Sequence, residues 1–268
     1  MTASVDVTPR VWDRLREVRL GRNCSCCGEW SASEQRALDL YGPLARRDVG
    51  AMTIGQVGQS LDGRIATPTD DARIISSSDG LTHLHRMRAL VDGVIIGVNT
   101  ALHDQPQLTV RRCAGTNPAR IVIDPKGRLS DDAPLFTQDG AQRIVIQAVE
   151  RARPAGVEVV RLDPVNGFLD PAAILTALRR RGLTTLMVEG GSFTLGRFVE
   201  AGLLDRLHIG IAPVIIGVGP QGLTLPAPPK RLGEAIYPAT QLFSLESDAV
   251  FDAALTPLGE LARVHQHR

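Results

Sequence analysis

Thr185–Phe198 reads T-L-M-V-E-G-G-S-F-T-L-G-R-F. A short apolar run, Leu186–Val188, ends at Glu189; Gly190 and Gly191 follow at once, and an amphipathic helical pattern begins after them. The pattern predicts a strand, a turn too tight for side chains, and a helix whose first amides point into the turn. Those amides have no carbonyl partner inside the helix, and the helix dipole is positive there, so the turn suits a phosphate. The two glycines let an anion approach the backbone, and Ser192 and Thr194 add hydroxyl donors. An ordinary strand–helix connection explains the same letters without any ligand. The chain contains no G-x-x-x-x-G-K-[ST], and no G-x-G-x-x-G opens a helix after the first strand. The stretch therefore points to a nucleotide or dinucleotide held neither by a P-loop nor by an ordinary Rossmann turn.

Outward from this stretch, strand-like runs alternate with helical patterns. The runs are Met52–Val57, Gly93–Val98, Arg120–Ile123, Arg143–Ile146, Val157–Leu162, Leu186–Val188 and Leu207–Ile211. Helical patterns cover Asp79–Leu90, Pro171–Arg181 and Ser192–Ala201. The order predicts an α/β sheet with helices on both faces. Gln241–Ser247 and Ala249–Thr256 flank Asp248 as an antiparallel hairpin, which makes the sheet mixed. The first fifty residues differ in texture. Thr8 and Pro9 open a helix through Leu20, and Ser31-Ala-Ser-Glu34 is a capping box for a second helix that Tyr41-Gly-Pro43 should end. These residues form a helical N-terminal extension, 1–50, ahead of a main body, 51–268. Their apolar faces need a surface, on the body or on a partner subunit.

Composition narrows the function classes. The 268 residues carry 30 Lys and Arg against 29 Asp and Glu, so the electrostatic footprint of a nucleic-acid binder is missing. Even the richest apolar run, Ile209–Val218, is broken by Gly210, Pro213 and Gly217, which argues against a membrane span. The N-terminus has neither a basic start nor an apolar core, and the expected location is cytoplasmic. Cys24, Cys26 and Cys27 crowd into C-S-C-C, with Cys113 apart. No second ligand pair accompanies them, so free thiols are expected and no metal site.

Several further motifs sit where strands should end. Ser60-Leu-Asp-Gly-Arg64 is a sharp bend after the first strand, at the sheet edge where α/β proteins bind ligands. Gly97-Val-Asn-Thr100 leaves a second strand and leads to Asp104-Gln-Pro-Gln-Leu108-Thr-Val-Arg111. A helical turn puts Thr100 and Asp104 on one face: Thr100 as a cap and cofactor contact, Asp104 as a general acid, a polar ligand or merely a solvated turn residue. Arg88 and Arg111 are candidates for a substrate phosphate, because guanidinium grips phosphate with two parallel bonds; each also reads as a surface arginine. His83 and His85, two apart on a helix, point away from each other and read as surface or packing residues.

Together these motifs resemble the reductase domain of bifunctional riboflavin-biosynthesis deaminase–reductases and its stand-alone relatives. The resemblance runs from about Met52 to Leu255. It rests on S-L-D-G-R at 60–64, G-V-N-T at 97–100, D-x-P-x-L-T-V-R at 104–111, P-x-R-I-V-I-D at 118–124, V-E-G-G at 188–191 and I-A-P-x-I-I-G at 211–217. It implies a dihydrofolate-reductase-like, three-layer α/β/α fold with a mostly parallel sheet. It further implies NADPH-dependent reduction of a phosphorylated ribosylaminopyrimidine to its ribitylamino form, in a homodimer. By matching positions, Gly58, Ile74, Thr100, Asp104 and the turn Gly190, Gly191, Ser192, Phe193, Thr194, Leu195, Gly196 and Arg197 would hold the cofactor. Gln56, Arg88, Leu108, Arg111 and Glu189 would line the substrate, with Asp104 and then Glu189 as proton donors. The chain departs from the family at Gln56, where Lys is usual; at Ile74, where Trp is common; at Ala72, where Ser is usual; and at Gln105, where a second Asp is usual. These departures raise a drifted substrate, another heterocycle or imine, and a non-catalytic NADPH-binding subunit as alternatives. The zinc-deaminase pattern, H-x-E with P-C-x-x-C, is absent from the sequence.

Overall fold

The computed structural model describes residues 4–22, 28–69 and 75–255. Ala72 and Ile74, and the C-S-C-C cysteines, lie outside the described residues. In chain order the elements are α1 (Pro9–Arg19), α2 (Ala32–Ala45), β1 (Met52–Ser60), α3 (Ser78–Leu90), β2 (Gly93–Gly97), α4 (Val98–Asp104), β3 (Ala119–Ile123), β4 (Arg143–Gln147), β5 (Val157–Arg161), α5 (Pro171–Arg179), β6 (Thr185–Glu189), α6 (Ser192–Glu200), β7 (Arg206–Ala212), β8 (Ala239–Ser244) and β9 (Ala249–Ala254). Among them no helix is long and apolar enough to cross a membrane.

The strands form one sheet in the order β5-β4-β3-β2-β6-β1-β7-β9-β8. From β5 through β7 every neighbour is parallel, whereas β9 runs antiparallel to both β7 and β8. Side chains alternate across a strand, and the core divides accordingly. Ile54, Val94, Ile96 and Met187 face the layer containing α1–α4, while Val57, Ile95, Leu186 and Val188 face α5 and α6. At Gly55 the second layer comes so close that a Cβ would stand 2.7–2.8 Å from Leu195, Leu204 and Leu207. Only glycine fits that strand position.

The N-terminal helices belong to the first layer. Val11, Leu15, Leu38, Tyr41 and Leu44 share one apolar cluster with Ile54 and Val94. Both helices are capped: Thr8 accepts from the Val11 amide, and Ser31 with Glu34 completes the capping box. Glu34 also receives Thr8 Oγ1 and Arg10, and with the Ser31 amide these donors hold its carboxyl at about 2.

Some expectations need correction. α2 does not stop at Tyr41 but runs through Pro43 to Ala45. Burial of Tyr41, Leu44 and Ala45 outweighs the amide that proline lacks. The strand at 207–211 ends at Ala212, so the apolar run beyond it is loop, with Ile215 74 % exposed. Thr100 lies inside α4 and caps nothing; the cap position is Gly97. Arg88 is buried, which removes its surface reading, and His83 and His85 are buried too, in keeping with the packing alternative.

Candidate functional site

β2 and β6 lie side by side, and each leads directly into a helix, α4 and α6. Neither helix has a side-chain cap: the cap residues are Gly97 and Gly191. Gly190 and Gly191 have φ of 64° and 69°, the left-handed region that favours glycine. The turns pack together closely: a Cβ on Gly97 would meet Thr194 Oγ1 at 2.3 Å, and one on Gly191 would meet Thr100 Oγ1 at 2.7 Å. Two positive helix ends, two bare glycines and two hydroxyls therefore converge. An arrangement of this kind could hold an anion.

The cradle opens into a cleft of about 640 Å³. Thr100, Gly191, Ser192, Phe193, Thr194 and Arg197 all line it. One wall carries a cation–aromatic stack, with the Arg197 guanidinium 4.4 Å from the Phe168 ring and Phe193 tilted against Phe168 at 5.6 Å. Phe168 reaches this place because Val165-Asn-Gly-Phe168 closes a tight hairpin, with Asn166 and Gly167 at positive φ. Opposite, the loop after β3 presents Lys126 and Arg128. Buried Asp124 shapes that loop by accepting the amides of Arg128 and Leu129 and pairing with Arg153. Neither Lys126 nor Arg128 has a carboxylate partner among the described residues; Arg128 donates to Asn99 at 2.6 Å.

A second cluster adjoins the first through the same turn. Glu189 ends β6, two residues before Gly191, and pairs fork to fork with Arg88 of α3. Arg88 also donates to the Thr109 carbonyl at 3.1 Å. Leu108 is buried with φ 53°, an unusual conformation for leucine. Arg111 stands near Arg88 and Arg112, and burial together with these cations lowers its pKa. Among the described residues its guanidinium binds only neutral side chains, Gln107 and Thr109. His85 accepts the Arg111 amide at Nδ1, and burial beside Arg88 and Arg111 pushes its pKa down to about 4. Gln56 lies in register with Glu189 on one side and His208 on the other, and its side chain makes no hydrogen bond among the described residues.

Other predicted residues stand elsewhere. Leu195 packs in the core and Gly196 against the Thr224 backbone, so neither lines the cleft. Gly58 abuts Ser76, and Asp104 is 55 % exposed, bonded to His103 at 2.8 Å. Asp62 of the S-L-D-G-R turn accepts from Ser60 and from the amides of Ile216 and Gly217, pinning that loop and lowering its pKa to about 2. Sequence reasoning missed Phe168, Lys126, Arg128 and His85. The Asn166-Gly167 pair was the available signal for the Phe168 hairpin.

Fold and site define an α/β protein of the dihydrofolate-reductase-like class, with an anion cradle where the parallel strands end. The family model described as "RibD C-terminal domain" matches residues 51–241. The chain belongs to that family. Riboflavin biosynthesis protein RibD of Aquifex aeolicus is 35 % identical over 60 % of this chain and 46 % of its own length. The 2,5-diamino-6-ribosylamino-4(3H)-pyrimidinone 5′-phosphate reductase of Methanothermobacter thermautotrophicus is 34 % identical over 59 % of this chain and 76 % of its own. The chain thus spans about half of the former relative and three quarters of the latter. The deaminase/reductase structure from Thermotoga maritima superposes with a TM-score of 0.63 at 25 % identity, covering 83 % of this chain and 62 % of that one.

Proposed function

We propose that this protein is a reductase of riboflavin biosynthesis that uses NADPH to convert a ribosylaminopyrimidine 5′-phosphate to its ribitylamino form. One observation carries the reading: the Glu189-Gly190-Gly191 turn joins the anion cradle to the Arg88–Glu189 pair, so cofactor and substrate sites meet within three residues. The amides of Ser192–Thr194 and the hydroxyls of Thr100 and Thr194 suit a pyrophosphate. Phe168, Phe193 and Arg197 offer a platform for adenine. Lys126 and Arg128 suit the extra phosphate that distinguishes NADPH from NADH. When bound, the nicotinamide would supply a hydride for reduction of the sugar carbon. The protein supplies position and charge. Arg111 is the phosphate contact, because Arg88 already has Glu189 and Thr109 as partners. Glu189, at the turn between the two clusters, is our candidate for holding polar substrate groups and for returning a proton.

The amide of Gln56, unbonded among the described residues, favours one second reading, a related imine or heterocycle in place of the riboflavin intermediate. NADPH oxidation with deaminated and non-deaminated substrate phosphates in parallel tests both readings. Turnover of either supports the first. Binding of NADPH without turnover removes it, and Gln56→Lys is then the first reversion to assay. We also propose a homodimer, on the exposed pair Leu242 and Phe251 of the β8–β9 edge; light scattering of the purified protein tests it.

A further inference from the structure

The segment from Leu108 to Ala114 carries Arg111 but contains no helix or strand. It even starts against its own preferences, with Gln105 at φ 44° and Leu108 at φ 53°. Such residues persist only where their surroundings impose the conformation. Those surroundings can be named. Arg88 Nη1 donates to the Thr109 carbonyl at 3.1 Å, the Asn117 side-chain oxygen accepts the Val110 amide at 2.7 Å, and His85 Nδ1 accepts the Arg111 amide at 3.0 Å. The far end is held by the N-terminal extension: Trp12 Nε1 of α1 donates to the Ala114 carbonyl at 2.8 Å, across 102 residues of sequence.

Trp12 is itself fixed. It is 7 % exposed and stands edge-on to Tyr41 of α2, whose hydroxyl meets His83 Nδ1 on α3 at 2.8 Å. The helical hairpin thus reaches both α3 and the loop that α3 grips. Arg111, meanwhile, has no carboxylate partner among the described residues, and its guanidinium rests on Gln107 and Thr109. We infer that the α1–α2 hairpin is a working part of the substrate site, in which Trp12 is a positioning residue that fixes the 108–114 loop so that Arg111 meets a phosphomonoester. The inference rests on the proposed role of Arg111.

The test is steady-state kinetics of Trp12→Phe with the ribosylaminopyrimidine 5′-phosphate and with its dephosphorylated nucleoside. Phe keeps most of the apolar bulk and removes the N–H. The KM for the phosphate should rise about five- to tenfold with kcat within about twofold, while the nucleoside KM and the NADPH affinity stay put. In an Arg111→Ala background Trp12→Phe should have no further effect, because both changes act on one contact. An equal rise for the nucleoside, a fall in kcat alone, an undiminished effect in the Arg111→Ala background or no effect at all would overturn the inference. If Arg111→Ala by itself leaves the phosphate KM unchanged, the role given to Arg111 fails, and the inference falls with it for that separate reason. Should Trp12→Phe not fold, judged by its melting curve, Asn117→Ala frees the Val110 amide and must produce the same phosphate-selective rise.

Discussion

Arg88 and Glu189, 101 residues apart in sequence, meet through two parallel bonds, Nε to Oε2 at 2.9 Å and Nη2 to Oε1 at 2.5 Å. Their side chains are 6 % and 13 % exposed. Breaking such a pair from one side leaves a charge stranded away from water. Arg88→Ala should lose about 3–5 kcal/mol of stability. The double variant Arg88→Met/Glu189→Leu should recover much of that loss while abolishing turnover. Urea unfolding of the three proteins decides it, and equal losses in the single and double variants would count against the argument.

Gly191 combines a φ of 69° with a hydroxyl 2.7 Å from where a Cβ would sit. Gly191→Ala should weaken NADPH binding about tenfold or more, because the added methyl displaces Thr100 and fills the cradle. Titration by nicotinamide fluorescence measures this directly. Gly55→Ala places its methyl among three leucines instead. It should lower stability by about 1–3 kcal/mol and leave cofactor affinity nearly unchanged, as calorimetry with the same titration would show.

Lys126 and Arg128 flank the cleft without carboxylate partners among the described residues. The double variant Lys126→Ala/Arg128→Ala should lose about tenfold or more in affinity for NADPH and little for NADH. A parallel loss for both nucleotides would place the extra phosphate elsewhere.

His83 and His85 set the acid limit. Burial pushes both pKa values down, His85 to about 4 and His83 well below its ordinary 6.5, with neighbouring His208 and Arg86 acting in the same direction on His83. The unfolded chain therefore binds protons that the native protein refuses. Stability is complete above about pH 6.5 and falls as the pH drops toward 4. Melting temperature recorded between pH 7.5 and 4.5 should decline, and His85→Gln should decline less steeply. Protonation at Nδ1 of His85 would remove the acceptor for the Arg111 amide; the folded imidazole takes that proton only near pH 4, so the KM for the phosphate substrate should stay level through the decline in melting temperature and rise only as the pH approaches 4.

The parallel strands and the α6 turn were legible because their signals are local. An apolar run followed by Glu189-Gly190-Gly191 states strand, turn and helix within fourteen letters. Pro43 misled for the opposite reason: the continuation of α2 depends on what Tyr41 and Leu44 pack against, and no window of nearby residues contains that. Leu108 and Gln105 carry no glycine to announce a left-handed backbone. The cleft itself is assembled from segments far apart in the chain, Gly97, Arg128, Phe168 and Thr194, so its individual parts read as ordinary loops. The role of Arg88 split in the same way. Its charge suggested a phosphate, while its partner, at the end of β6, was visible only in three dimensions.

The uncapped starts of α4 and α6 have a consequence for the protein without its ligand. α1, α2 and α5 complete their first turn with a side chain, Thr8, Ser31 and Asp170, whereas α3, α4 and α6 do not, and only α4 and α6 have a glycine at the cap. Here Gly97 and Gly191 leave that task to whatever enters the cradle. On the proposed function a bound dinucleotide would be a structural component that finishes two helices, linking folding to saturation. At a hundred times its dissociation constant it would add about 2.7 kcal/mol. In a cell the abundance of this protein would then follow its nucleotide supply, because a ligand that binds only the folded form lowers the share of chains open to proteases.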